Sequence, residues 1–280
     1  MAVEAEIVTI TPAEALKLLE GNKNNRGLRQ TRVSTYAADM ASGNWKLNGT
    51  PIVKNGSNIM DGQHRLHACV KAGKPFQTVI VHGVSADAHK TIDTGMARTM
   101  ADEFKWAGEQ HVASLAAAVN LMWRYDNDVL MDPAANASRS QLAAYLKANP
   151  GIRDSIPGGQ KIGKETRIRT TALSCLHYML TREHGAEVAN RFYDRLEAGT
   201  DYAPYDPLLT LRNYATQVAG NKHLRPNATE WFALVIKAAN AWLLGRELKN
   251  LRWRRVGSQR EGFPVLLTRE DVGDVTADEL

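Results

Sequence analysis

Asp61-Gly62-Gln63-His64-Arg65-Leu66 separates a short apolar segment from an amphipathic one, and it decides the fold expected for the first third of the chain. Just before it, the dipeptide Asn55-Gly56 is a strong hairpin signal, and residues 57–60 are expected to form the return strand. After it, apolar residues recur at helical spacing up to about Ala72. The stretch is therefore predicted to turn the chain from a strand into a helix.

A turn from strand to helix is a favourable place to hold an anion, because backbone N–H groups and the helix dipole point there. Gly62 allows the backbone to approach a ligand, Arg65 can bind two phosphate oxygens at once, and His64 can donate a further hydrogen bond. Asp61 can bind a divalent cation or accept a proton, so the segment holds the parts that phosphoryl transfer requires. The simpler alternative stays open: a plain turn in which Asp61 caps the helix while His64 and Arg65 are solvated.

The rest of the chain divides into a small α+β region and a helical region, which we expect at about residues 1–105 and 106–280. The first region is predicted to contain helices at about residues 11–20, 29–42, 63–72 and 86–90. Strands are predicted at about residues 50–54, 57–60 and 78–81. Beyond about Ala101 the pattern predicts helices only, at about 109–125, 138–147, 166–183, 186–197, 207–219 and 228–244.

Composition sets broad limits on the class of protein. Hydrophobic residues make up 44% of the chain, which is enough for a buried core, and no apolar stretch is long enough to predict a membrane span. The net charge of +5 permits an anionic partner such as nucleotide or nucleic acid without requiring one. Two cysteines are too few for a disulfide framework, and the N-terminus does not resemble a signal peptide, so we expect a cytoplasmic protein.

The segment Asp61 to Leu66, followed by Ala68, resembles the D-G-x-H-R-L-x-A signature of the ParB/sulfiredoxin superfamily. Gln63 stands where sulfiredoxin carries its cysteine, so sulfinic acid reduction is not expected. The Asp-Gly-His-His-Arg segment of the free serine kinases of this superfamily is closer. The resemblance covers about residues 8–104 and is similar to phage-borne ParB-like proteins, with flanking matches at Asn25-Arg26, Arg29, Tyr36, Met40, Gly43, Trp45, Asn48-Gly49, Pro51-Ile52, Ile92 to Gly95 and Arg98-Thr99.

The resemblance implies a site for ATP or another nucleoside triphosphate together with Mg²⁺. The implied catalytic candidates are the acids Asp61, Glu20 and Asp93 together with His64, and Asp61 is also the implied metal ligand. Glu20 resembles in position the loop acid of the serine kinases. The implied nucleotide contacts are Arg26, Gly62, Gln63, His64, Arg65, Thr94 and Arg98. Each of these residues can also be a turn or surface residue, and the residues alone leave that open.

Two basic clusters in the helical region are candidates for contact with DNA. One consists of Lys164, Arg167 and Arg169, and the other is Arg252-Trp253-Arg254-Arg255. Such clusters can follow a phosphate backbone, and the tryptophan can stack on a base. Charged helix ends remain the alternative. No convincing recognition helix is evident, so we do not expect sequence to be read in a DNA groove.

The sequence is compatible with three activities. The first is an ATP-dependent kinase that phosphorylates a hydroxyl on a modified DNA base such as 5-hydroxymethyluracil, which would have to be unstacked to reach the site. The second is a ParB-like DNA-binding protein that uses a nucleotide as a switch. The third is a nuclease, against which the lack of a multi-carboxylate cluster around the motif argues. The sequence does not fix the oligomeric state.

Overall fold

The computed structural model describes residues 2–22, 27–85, 88, 99–220, 224–254, 260–273 and 276. The chain forms two compact units, Met1–Thr99 with Asn127–Ala144 and Met100–Asp126 with Tyr145–Leu280. The expected α+β class is confirmed, because the first unit contains a four-stranded mixed sheet and most of the second is helical. The segment Asn127–Ala144, which the sequence places in the helical region, belongs to the first unit, where Ser138 Oγ donates to Asp39 Oδ1 at 2.5 Å.

The first unit builds its sheet in the order β1-β4-β2-β3. β1 and β4 are antiparallel, β4 and β2 are parallel, and β2 and β3 are antiparallel. Strand β1 is not predicted from the sequence, because it is an edge strand whose residues are mostly exposed and show no clear apolar alternation. The elements are β1 (Glu4–Ile10), α1 (Pro12–Leu19), α2 (Gln30–Ala41), β2 (Pro51–Asn55), β3 (Asn58–Asp61), α3 (Gln63–Ala72) and β4 (Phe76–His82). The helix expected at 86–90 lies outside the described residues, apart from Ala88.

Helix α3 lies at the centre of the first unit. It packs against both α1 and α2, and its Leu66 is completely buried. Ile52 and Ile80, which face each other on the parallel strands β2 and β4, join Leu66 and Val33 of α2 in one hydrophobic cluster. Burial of such side chains stabilises the fold by about 1.5–3 kcal/mol each. The core therefore fixes the position at which β3 ends and α3 begins.

The second unit is built around one helix that is buried on most of its circumference. The helices beyond the first unit are α4 (Met100–Trp106), α5 (Val112–Asp126), α6 (Arg139–Ala148, which begins in the first unit and ends in the second), α7 (Ile152–Thr166), α8 (Thr170–His184), α9 (Ala186–Ala198), α10 (Pro207–Ala219), α11 (Ala228–Leu243) and α12 (Arg269–Val272). Helix α8 contacts α5, α7, α9 and α11, and its buried residues include Leu173, Leu176 and Met179. None of the helices in the described ranges combines the length and the apolar character needed to cross a bilayer.

Helix α7 is absent from the sequence prediction, because Pro157-Gly158-Gly159 resembles a helix break. The structure gives these glycines a packing role instead. A Cβ atom at Gly159 would lie 2.2 Å from Ser174 Oγ and 2.8 Å from Ser174 N, so the glycine allows α7 and α8 to approach closely. The same packing corrects the start of α8, since Thr166 ends α7 and α8 begins only at Thr170.

Replacing Gly159 with alanine tests this close approach. We expect Gly159→Ala to lower the free energy of unfolding by about 2–3 kcal/mol, because overpacking against the backbone of α8 outweighs the gain in helix propensity. Gly158→Ala is the matched control, since its Cβ would meet only the ring of Tyr193, at 3.3 Å. Urea denaturation followed by circular dichroism measures both variants. Equal stability of the two would contradict the packing role of Gly159.

Candidate functional site

Gly62 forms the turn between β3 and α3, and only glycine fits there. Its φ of 106° is a conformation that other residues rarely adopt, and a Cβ atom would lie 2.8 Å from Ile52 Cγ1 and 3.2 Å from Ile52 Cα. Its carbonyl accepts hydrogen bonds from Arg65 N at 3.0 Å and Leu66 N at 3.1 Å, which starts the helix. The backbone therefore passes directly against β2 as it enters α3.

The polar residues after Gly62 are buried, which excludes the alternative of a solvated turn. Gln63, His64 and Arg65 are 5%, 7% and 7% exposed. Asp61 does not cap the helix, because the N-cap residue is Gly62, which has no side chain. Burying three polar side chains in succession is costly unless each has hydrogen-bond partners.

Arg65 connects the start of α3 with the start of β2. Its Nη1 donates a short hydrogen bond to the Thr50 carbonyl, and its Nη2 donates to the Pro51 carbonyl at 2.7 Å. The same Nη2 lies 3.0 Å from Asp61 Oδ2, where it forms a salt bridge. A phosphate contact by Arg65 stays a prediction, and the guanidinium already satisfies two backbone carbonyls and a carboxylate.

His64 and Gln63 bind the two described ends of the loop that follows α1. Arg29 N donates to His64 Nε2 at 3.0 Å, and Asn22 Nδ2 donates to Gln63 Oε1 at 3.1 Å. Because Nε2 accepts a hydrogen bond, the neutral ring carries its proton on Nδ1. The side chains at the start of α3 are thus fixed from both ends of one loop.

The candidate acid Glu20 precedes Asn22 by two residues, at the exposed C-terminal end of α1. Gly21, the residue after it, packs so closely on the β2–β3 turn that a Cβ atom would lie 1.8 Å from the Ser57 carbonyl oxygen. Its own carbonyl accepts a hydrogen bond from Ile59 N at 3.2 Å. The chain on the C-terminal side of Glu20 is therefore held against β3, the strand that ends at Asp61.

Four other residues proposed for the nucleotide site belong to segments that the structure does not describe. Arg26, Asp93, Thr94 and Arg98 lie outside the described residues. The role of each stays a prediction from the resemblance.

The described residues show neither a metal-binding cluster nor a reactive thiol. The described part of the chain contains no group of three or more His, Cys, Asp or Glu residues that could hold a metal ion. Asp61, whose side chain is 29% exposed, is the carboxylate nearest along the chain to the start of α3. Burial, together with the charge of Glu14, raises the pKa of Cys69 to about 11, and burial also raises the pKa of Cys175. Both thiols are buried, and neither is poised as a nucleophile.

The first basic cluster is joined by an arginine that the sequence analysis missed. Arg167 and Arg169 lie between α7 and α8 and line a cleft together with Arg225. Lys164 is exposed on the last turn of α7 and is not part of the cleft lining. Arg225 lies more than fifty residues away along the chain and shares no pattern with the others, so only the fold brings it there.

The second basic cluster is divided by the structure. Arg252 lines a cleft with Lys249 and two tyrosines, Tyr205 and Tyr214. Trp253 is used in packing: its indole N–H donates to the Gly262 carbonyl at 2.9 Å, and its ring lies edge-on to Phe263. The carbonyl of Arg254 accepts a hydrogen bond from Glu261 N. Arg255 lies outside the described residues.

No protein-family model, curated protein or solved structure matches this chain.

Arg65→Lys tests whether the hydrogen bonds of the guanidinium stabilise the turn between β3 and α3. We expect it to lower the free energy of unfolding by about 2–4 kcal/mol, because a lysine cannot serve both carbonyls and Asp61 from one buried position. Asp61→Asn is the matched variant. Its amide oxygen still accepts a hydrogen bond from Arg65, so we expect a loss of less than about 1 kcal/mol for this partly exposed pair. Chemical denaturation at pH 7 compares the two. If Arg65→Lys has the same free energy of unfolding as the wild type, the hydrogen bonds of the guanidinium do not stabilise the turn.

Proposed function

We propose that the protein is a nucleoside triphosphate-dependent phosphotransferase with a ParB/sulfiredoxin-type domain, and that its phosphate site is the start of α3. The acceptor in this proposal is a hydroxyl group on a modified DNA base such as 5-hydroxymethyluracil. The observation that carries the proposal is the buried network of Gln63, His64 and Arg65 around a glycine turn. Such a network orders the backbone at a helix start, where phosphate is favoured.

The proposal assigns to Asp61 the carboxylate that serves the transfer. Its side chain is partly exposed and forms a salt bridge with Arg65. Mg²⁺ in nucleotide sites is usually held by the phosphates and by one or two carboxylates, so a single carboxylate at this point fits the ion. When bound there, Mg²⁺ would neutralise charge on the phosphates.

The proposed reaction is a displacement at the γ-phosphorus. The acceptor oxygen forms a bond to phosphorus, the bond to the bridging oxygen breaks, and the nucleoside diphosphate leaves. The proton of the acceptor hydroxyl passes to a carboxylate, for which Asp61 and Glu20 are the candidates. The proposal also assigns His64, which accepts a hydrogen bond from Arg29 N at Nε2, to the phosphate contacts.

One observation favours a second candidate, in which the nucleotide acts as a switch for DNA binding. Arg65 is bonded to the Thr50 and Pro51 carbonyls and to Asp61. A nucleotide that draws the guanidinium away from these groups would break their bonds, and the start of β2 would lose the hydrogen bonds that hold it to α3. Nucleotide binding would in this way be coupled to the conformation of the unit.

A transfer assay with matched variants tests the first proposal. The full-length protein is incubated with γ-labelled ATP, Mg²⁺ and DNA with or without hydroxymethylated pyrimidines. We expect label only on the hydroxymethylated DNA, and a loss of at least about 100-fold in Asp61→Asn, which removes the carboxylate but retains the bond to Arg65. Glu4→Gln makes the same change of charge on the exposed edge strand β1 and should retain full activity. Arg65→Ala is a poor control, because it also removes the hydrogen bonds that hold the start of β2 to α3.

The outcomes separate the two candidates. Label that moves to DNA in the wild type and is retained in Asp61→Asn would contradict the role of Asp61. If ATP binds but no DNA is labelled, the DNA kinase proposal fails. The nucleotide switch then predicts that ATP alters the affinity for DNA without phosphate appearing on any acceptor.

A further inference from the structure

Two adjoining clefts in the second unit combine positive charge with aromatic rings. The arginine cleft, of about 400 Å³, is lined by Arg167, Arg169, Arg225, Pro226 and Trp231 together with Val218 and Ala219 of α10. The tyrosine cleft, of about 570 Å³, contains Tyr205, Tyr214, Lys249 and Arg252 in its lining.

Helix α10 joins the two clefts. Its residues Tyr214 and Gln217 line the tyrosine cleft, and the next residues, Val218 and Ala219, line the arginine cleft. The ring of Tyr214 lies edge-on to that of the buried Trp231, with 5.7 Å between centroids, so this ring contact links the walls of the two clefts. The stretch of α10 from Leu209 to Ala219 is about 15 Å long, which spans several successive phosphates of a nucleic acid strand.

The charges in the arginine cleft are available to a ligand. In the described part of the chain, the guanidinium groups of Arg167 and Arg169 are exposed and have no hydrogen-bond or salt-bridge partner. Arg225 uses Nη2 to donate to the Ala219 carbonyl at 3.0 Å, which orients its side chain beside the end of α10. Three guanidinium groups around one concave surface favour the binding of phosphate groups.

Backbone strain occurs at one residue of each cleft. Arg167 has φ 63° and Tyr205 has φ 62°, in the left-handed region that is unfavourable for residues other than glycine. Such strain tends to be retained where it positions a functional side chain. Tyr205 is 51% exposed, and Lys249 Nζ lies 5.2 Å from the centre of its ring. The ring is thus presented to solvent beside a positive charge, as in platforms on which bases stack.

We propose that these two clefts form a binding surface for single-stranded nucleic acid. The arginine cleft binds backbone phosphates, and the exposed ring of Tyr205 stacks on a base. Rings that line a concave surface can reach bases only when the strand is unpaired, which favours a single strand over a duplex. This inference concerns binding alone and holds whether or not the first unit transfers phosphate.

A binding titration without nucleotide tests the surface. Fluorescence anisotropy of a labelled 20-mer of oligothymidine is measured with the full-length protein at about 50 to 200 mM salt. Arg167→Gly removes the charge and suits the left-handed backbone, and Arg225→Gln removes a second charge. For each variant we expect the negative slope of log K against log salt to become less steep by about 0.7, which corresponds to about eightfold weaker binding at 50 mM salt. Tyr205→Asn suits its backbone in the same way and should weaken binding about tenfold with an unchanged slope.

The controls distinguish the surface from general charge and from the proposed function. Arg191→Gln removes one exposed charge from α9, outside both clefts, and should bind as the wild type does. Equal weakening by Arg191→Gln, or duplex DNA that binds as tightly with the same sensitivity to the variants, would overturn the inference. Asp61→Asn should bind oligothymidine normally. If oligothymidine binds but no phosphate is transferred, this inference stands and the proposed function fails. If phosphate is transferred to DNA but oligothymidine does not bind, the proposed function stands and this inference fails.

Discussion

The rest of the candidate site depends on the hydrogen bonds and the salt bridge that the guanidinium of Arg65 makes. The guanidinium joins two carbonyls at the start of β2 to the Asp61 carboxylate at the end of β3, from a helix that begins between them. A buried arginine is tolerated only where its donors are satisfied, so its presence requires this arrangement of three chain segments. Gly62 completes the constraint, because no larger residue fits between α3 and Ile52.

The neighbouring side chains extend this constraint into the loop after α1. His64 and Gln63 hold Arg29 and Asn22, so the loop is tied to α3 at both described ends. The helix start is therefore ordered before any ligand arrives, which is the condition under which backbone N–H groups bind an anion without a large cost of reorganisation. The same bonds mean that Arg65 is already engaged, so its use by a phosphate would carry a structural consequence for β2.

Local signals were sufficient to predict much of the first unit. The Asn55-Gly56 hairpin and the amphipathic residues after Gly62 predicted β2, β3 and α3, because each element carries its own pattern. The segments that were missed lack such a pattern. The exposed edge strand β1 shows no clear alternation, and the glycines of α7 make sense only against Ser174 of α8.

The sequence singled out the segment at the start of α3, but it did not predict the contacts that its side chains make. The motif identified Asp61 to Arg65, while the partners of Arg65 are backbone carbonyls of Thr50 and Pro51, which carry no sequence signal. Similarly, Arg225 joins Arg167 and Arg169 only through the packing of α10 and α11 against the rest of the helical unit. Long-range contacts of this kind are decided by tertiary structure rather than by spacing along the chain.

Hydrogen exchange, measured by mass spectrometry with and without ATP and Mg²⁺, tests the central claim most directly. If the start of α3 holds the nucleotide phosphates, ATP should slow exchange in peptides that cover residues 61–66, and AMP should have a much smaller effect. Slower exchange confined to other peptides, or no change at saturating ATP, would contradict the assignment of the phosphate site to the start of α3.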